Sequence, residues 1–182
     1  GQAHVILCGG SLPEGLPDDW YAPLIRRAKG LGVTSLLDAS GPCLVAGMKA
    51  VPDIVVPNAD EAELLLGRPV VDVKGAAEGA QELRRRGPGT VIITLGAQGV
   101  VAATDEGTFH VPPVSVRVVN TAGAGDGFNA GLIMARLRGA DWPEALRHAA
   151  AVATAILLTP GTGACRPKDV EDIQPRVTVR AL

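Results

Sequence analysis

Asn120-Thr121-Ala122-Gly123-Ala124-Gly125-Asp126-Gly127-Phe128 is the stretch around which the rest of the chain can be ordered. Its glycines let the backbone turn so that successive N–H groups point the same way, into a concave anion nest. The stretch from Ala124 to Leu137 reads as a long helix, so the nest sits at a positive dipole end. Asp126 falls in the first turn of that helix. An acid there favours the helix, and a capping carboxylate is a sufficient reason for it. A carboxylate beside an anion nest also suits phosphoryl transfer. The nest would hold charge on the moving group while the carboxylate accepts the proton of an attacking hydroxyl. The pattern is neither G-x-G-x-x-G nor G-x-x-x-x-G-K-[ST], which sets aside a dinucleotide loop, an NAD-binding dehydrogenase domain and a P-loop.

Upstream of this turn, short apolar runs alternate with amphipathic stretches. His4 to Cys8, Val33 to Leu37, Ile54 to Val56 and Thr90 to Thr94 read as strands. Between them, Asp18 is a candidate cap for a helix with Trp20, Tyr21, Leu24, Ile25 and Ala28 on one stripe, ending at Gly30. Helices are expected over 42–50, Ala59–Leu66 and Ala76–Arg86, the last stopped by Gly87-Pro88-Gly89. Val100 to Ala103 and Thr108 to Val111, joined by Thr104-Asp105-Glu106-Gly107, predict an antiparallel hairpin, and Val114 to Val119 a further extended segment. Downstream, helices are expected from Trp142 to Leu158 and from Lys168 to Ile173. The alternation predicts a single α/β domain, a three-layer α/β/α sandwich with a mainly parallel sheet and an antiparallel hairpin at one edge.

Composition removes several function classes. The 182 residues are 47% hydrophobic, which excludes disorder, and hold only three cysteines, too few for a disulfide scaffold. Aromatic residues are 3%, against a stacking platform for single-stranded nucleic acid. A net charge of -2 gives no reason to expect nucleic acid or an anionic membrane as partner. Cys8, Cys43 and Cys165 lie far apart, as do His4, His110 and His148, so reduced structural thiols in a cytoplasmic protein are expected rather than a zinc site. Ala149 to Leu158 is apolar but too short to span a membrane. The basic run Arg84-Arg85-Arg86 sits at a helix end, where cations suit the dipole and cap free carbonyls; a phosphate patch is the alternative.

Ala122 to Gly131, read as AGAGDGFNAG, closely resembles the second signature of the PfkB/ribokinase family of carbohydrate kinases. Three other pieces follow the family's order. Gly10-Ser11-Leu12-Pro13 with Gly15 resembles a loop of the 1-phosphofructokinase and tagatose-6-phosphate kinase branch. Pro57-Asn58-Ala59-Asp60-Glu61 resembles the N-x-x-E motif, and Thr94-Leu95-Gly96-Ala97-Gln98-Gly99 the nucleotide loop.

The resemblance implies ATP-dependent phosphorylation of a sugar or sugar-phosphate hydroxyl on a ribokinase-like fold, with ATP and Mg²⁺ as cofactors. It makes Asp126 the base, and the backbone N–H groups of Gly123, Ala124, Gly125 and Asp126 the anion hole for the γ-phosphate. Thr94, Gly96 and Gly99 would line the nucleotide site, Ala150 and Thr154 would flank the adenine, and Gly161 and Thr162 would lie in the closing loop. Asn58 and Glu61 would organise the Mg²⁺ shell through water. From the residues alone the same pair reads as a capping box, and the two roles are compatible. Carbonyls around Asn120, Ala122, Ile156, Thr159 and Gly161 align with a monovalent-cation site, for K⁺, found in parts of the family.

Three positions depart from the branch. Asn120 stands where many relatives carry Asp, Val56 where the branch often has Lys, and Gly127-Phe128-Asn129 looks more like the ribokinase and ketodeoxygluconate kinase branches. A kinase of that second type, or a non-catalytic nucleotide-binding module of the same fold, are the alternatives. Family members carry a sugar-binding portion and a lid before the Gly10 loop. Residues 1–182 are therefore expected to be the C-terminal nucleotide-binding and catalytic part, truncated at the N-terminus, with little kinase activity alone. Its open sheet edge predicts a homodimer or other self-association.

Overall fold

The structure, a computed structural model, describes residues 3–182; Gly1 and Gln2, where the expected domain begins, lie outside the described residues. Two compact units divide the chain, one running to Thr108 and including Leu182, the other Phe109–Ala181.

In the first unit the order is β1 (Val5–Gly9), α1 (Tyr21–Gly30), β2 (Thr34–Asp38), α2 (Gly41–Met48), β3 (Ile54–Val55), α3 (Ala59–Leu66), α4 (Val73–Arg85), β4 (Thr90–Thr94) and β5 (Val100–Ala103). Strands β1 to β4 are parallel and lie side by side in chain order. β5 returns antiparallel, pairing Val100 with Thr94 and Ala103 with Val91. The mainly parallel sheet with a late antiparallel turn is thus the architecture expected from the alternation. Parallel strands need crossover helices, and those helices bury their apolar stripes on the sheet. Ala22 and Ile25 of α1, Leu44 of α2, and Ala76, Ala80 and Leu83 of α4 form one core with Leu37, Val55, Val91, Ile93 and Val101. Three successive residues of β4, Val91 to Ile93, are all fully buried, so this strand is covered on both faces.

Local chemistry moves several boundaries. Asp18 does not cap α1: the helix starts at Tyr21 after a turn in which Trp20 N–H donates to Pro17 O and Ala22 N–H to Asp19 O. Tyr21 is held instead by its hydroxyl, which donates to Gly9 O at 2.7 Å and ties α1 to the end of β1. α4 begins at Val73, earlier than its apolar stripe indicates, because Asp72 accepts from Gly75 N–H at 2.7 Å. Two of the three arginines of the basic run at its end are engaged within the chain. Arg84 donates to Gly89 O, and Arg86 to Leu65 O and to Glu82.

The second unit holds β6 (Thr108–Val111, whose first residue closes the first unit), α5 (Ala124–Leu137), α6 (Trp142–Ile156), α7 (Pro167–Ile173) and β7 (Arg180–Ala181). β7, too short to be legible in the sequence, pairs antiparallel with β6 through Phe109–Ala181 and His110–Arg180. Val114 to Val119, expected to be extended, joins no strand ladder among the described residues. Pro112 and Pro113 just before it lack the donors a ladder needs. α5 and α6 pack face to face at two glycines one turn apart. A Cβ on Gly131 would lie 3.0 Å from Ala149 Cα, and one on Gly127 would meet Ile156 Cδ1. No helix among the described residues is long and apolar enough to cross a membrane.

Candidate active site

The candidate residues fall into two groups, each inside one unit. In the second unit the decisive element is the start of α5. Gly123 is its N-cap in the left-handed conformation, φ 83° and ψ 5°. A side chain there would be strained, and its Cβ would also fall 2.5 Å from Gly163 N. The turn can therefore close only on glycine. Ala124 N–H donates to Thr121 O and Gly127 N–H to Gly123 O. The N–H groups of Gly125 and Asp126, between them, donate to no acceptor among the described residues. Both residues are exposed, and the space beside Gly125 is open. Asp126 is the third residue of α5, with its carboxylate on the same first turn. An oxyanion of phosphate size meets both needs of this turn: two unpaired donors and a positive helix end.

The loop after α6 closes over the approach to α5. Gly163 N–H donates to Ala122 O at 3.1 Å, and Val119 N–H to Leu157 O at 2.7 Å. Asn120 joins both sides. Its Oδ1 accepts from Ala122 N–H at 3.1 Å, and its Nδ2 donates to Pro160 O and Gly161 O at 3.4 Å each. The single hydroxyl proton of Thr159 is shared between Ile156 O and Ala164 O. Asn120, Ala122, Ile156, Thr159 and Gly161 thus lie in two loops tied to each other, and Ala122 O, Ile156 O and Gly161 O already accept hydrogen bonds. Gly161 and Thr162 are exposed in the same loop. Thr154 is buried in α6 with its hydroxyl on Ala150 O at 2.7 Å, so it faces its own helix backbone rather than offering a polar contact.

The first unit assembles the other group at the carboxyl ends of parallel strands, where open α/β sheets take ligands. Asn58 caps α3. Its Oδ1 accepts from Glu61 N–H at 2.9 Å and its own N–H donates to Glu61 Oε2 at 2.8 Å, the reciprocal capping box read from the sequence. Asn58 also bridges to Thr94 at the end of β4. From there a 3₁₀ turn over Gly96–Gln98 leads to Gly99, whose carbonyl accepts from Leu95 N–H at 2.8 Å. So Asn58, Glu61, Thr94, Gly96 and Gly99 lie along one rim. Burial pushes the Glu61 carboxyl above its ordinary range; the Asn58 backbone N–H opposes this, and Asp38 and Asp60 raise it further. Asp38, at the end of β2, is the site-rim residue that sequence reading missed, although its place at a strand end was a usable signal. Gly163 is the other, and its contact with Gly123 had no local signal.

A divalent cation fits this rim only as an outer partner. Oδ1 of Asn58 and Oε2 of Glu61 are engaged in the capping box, and no group of three or more His, Cys, Asp or Glu side chains among the described residues could hold a metal directly. Contact through water, with Glu61 Oε1 as acceptor, is what the donor set allows. A groove of about 500 Å³ in this unit, lined by Asp18, Gly41, Pro42, Val45, Lys49 and Leu64 among others, includes none of the candidate residues.

The pattern of pfkB family carbohydrate kinases matches residues 1–169, and the chain belongs to that family. Among its relatives, the 1-phosphofructokinase of Escherichia coli K12 is 37% identical over 153 residues, covering 84% of this chain and 49% of the relative. That of Rhodobacter capsulatus is 37% identical over 183 residues, covering 100% of this chain and 57% of the relative. The crystal structure of phosphofructokinase-2 from Escherichia coli in complex with potassium superposes with a TM-score of 0.89 at 28% identity, covering 96% of this chain and 58% of that one. The chain spans about half the length of the curated relatives it matches.

Proposed function

We propose that this chain forms the nucleotide-phosphate and base end of an ATP-dependent kinase acting on a sugar or sugar-phosphate hydroxyl, of the 1-phosphofructokinase or tagatose-6-phosphate kinase kind. The observation that carries this reading is the start of α5, where two unpaired backbone N–H groups stand beside the Asp126 carboxylate.

ATP supplies the phosphoryl group, and Mg²⁺, which Asn58 and Glu61 would hold through water, would supply positive charge for its phosphates. The protein's own steps are short. Asp126 takes the proton of the acceptor hydroxyl as its oxygen bonds to the γ-phosphorus. The bond from that phosphorus to the β,γ-bridging oxygen breaks, and ADP leaves with the electron pair. The N–H groups of Gly125 and Asp126 hold the equatorial oxygens, whose charge grows in the transition state. Gly123 makes this possible by turning the backbone where no side chain fits. The family resemblance assigns nucleotide contacts to Thr94, Gly96 and Gly99 in the first unit, and adenine and closing-loop contacts to Ala150, Thr154, Gly161 and Thr162 in the second.

The test is Asp126→Asn in the complete gene product, assayed on a panel of sugars and sugar phosphates. A general base contributes about 10²- to 10⁴-fold, so kcat should fall by that factor while ATP affinity holds within about threefold. An unchanged kcat would sink the base assignment. Turnover confined to unphosphorylated sugars would move the reading to a ribokinase-like enzyme, as Gly127-Phe128-Asn129 resembles. ATP binding without turnover on any acceptor would make it a non-catalytic module. The relatives being about twice as long, residues 1–182 alone are expected to phosphorylate little. A cytoplasmic location goes with this reading.

A further inference from the structure

The carbonyl cluster between the α5 turn and the loop after α6 has a chemistry of its own. A monovalent cation there would need several backbone oxygens with a lone pair turned inward and no hydrogen-bond donor aimed at them. In the structure, donors are aimed at four of the carbonyls of the cluster. Ala122 O accepts from Gly163 N–H at 3.1 Å. Ile156 O accepts from Thr159 N–H at 3.1 Å and from the Thr159 hydroxyl at 3.2 Å. Pro160 O and Gly161 O both face the Asn120 side-chain amide. The only carboxamide oxygen in the cluster, Asn120 Oδ1, is turned away to Ala122 N–H. Asn120 is also neutral, so the cluster lacks the negative charge that would help strip water from a cation. The set of donors does not fit an ion.

We infer that the Asn120 amide takes the place of a monovalent cation, its two N–H bonds holding Pro160 O and Gly161 O, so that the loop is fastened to the α5 turn without K⁺. The geometry has a direct consequence. Through Gly163, this loop seats against Gly123, the residue that shapes the nest. An amide bound to three groups across about forty residues of chain is therefore a positioning residue for that turn, acting through the loop. A carboxylate at the same position would reverse the chemistry. It would lose both donors, leave Pro160 O and Gly161 O unpaired, and add a charge that only a cation could balance.

The inference does not need the kinase reading, because its first readout is stability. The thermal midpoint of the complete gene product is measured in potassium and in tetramethylammonium chloride at equal ionic strength. For the unaltered protein the two midpoints should agree within about 1 °C, since an ion that binds neither state shifts nothing. For Asn120→Asp, potassium should raise the midpoint by about 3 °C or more, as expected for an ion well above its dissociation constant in a protein of this size. Nucleotide affinity should follow the same pattern, independent of K⁺ in the first case and severalfold stronger with it in the second. A potassium-dependent midpoint in the unaltered protein overturns the inference. So does an Asn120→Asp protein that folds and ignores potassium. Should that variant not fold, Asn120→Ser, which keeps one donor and no charge, gives the second arm: it must lose stability without regaining it in potassium.

Discussion

Glu61 shows how one side chain can serve two ends at a cost in charge. Its Oε2 completes the capping box with Asn58, which fastens α3, while burial and the carboxylates of Asp38 and Asp60 raise its affinity for a proton. The sign of the consequence is definite. A carboxyl whose folded-state value lies above its ordinary 4.5 holds its proton more tightly when folded. That contribution to stability is complete below the ordinary value and is lost as pH rises through the folded value. At neutral pH the ionised Glu61 therefore destabilises the fold relative to an uncharged group. Glu61→Gln keeps an acceptor for the Asn58 N–H and removes the charge. Its thermal midpoint should gain on the unaltered protein as pH rises from about 4 to about 7. Parallel midpoint curves would show that Glu61 carries no such shift. If Glu61 also faces the magnesium shell, the same variant should need more Mg²⁺ for half-maximal activity.

At the scale of elements, α5 and α6 are set by what they lack. Gly127 and Gly131 leave a flat stripe on α5 into which Ile156, Val152 and the Ala149 backbone of α6 fit. Gly131 is the tighter constraint, because its neighbour is main chain and cannot swing aside as the tip of Ile156 can. Gly131→Val should therefore destabilise by about 1–3 kcal/mol through overpacking, read as a lower urea midpoint with an unchanged slope. A midpoint equal to that of the unaltered protein would mean the helices have room. Much at this scale was legible in the sequence. Ala59–Leu66, Thr90–Thr94, Val100–Ala103, Thr108–Val111 and Ala124–Leu137 lie where periodicity and turn residues put them, since each carries its own stop signal. Asn58 and Glu61 announced their capping box in the same local way. Asp18 and the start of α4 were misread for one reason: a cap is decided by which backbone group is free nearby, and composition does not report that.

At the scale of the whole chain, the sheet of the first unit has a strand with one unpaired side. Among the described residues β1 pairs only with β2, and Leu7 within it is 45% exposed. An open apolar edge is a template for another strand. Residues 1–182 expressed alone should self-associate, and Leu7→Lys should shift them toward monomer in light scattering. A monodisperse monomer before the substitution would remove the edge from consideration.

The sequence by itself determined what is local: the parallel α/β alternation, the helix stops, the capping box, and a turn before Asp126 that only glycine can make. These follow from period, propensity and a few residues of spacing, all of which act within a turn or two. Only the tertiary structure decided what is distant. Gly163 presses on Gly123 from forty residues away, Asp38 comes up beside Glu61 from another strand, and the Asn120 amide meets the carbonyls of Pro160 and Gly161. Contacts of that kind depend on how the chain returns on itself, and no periodicity along the chain encodes them.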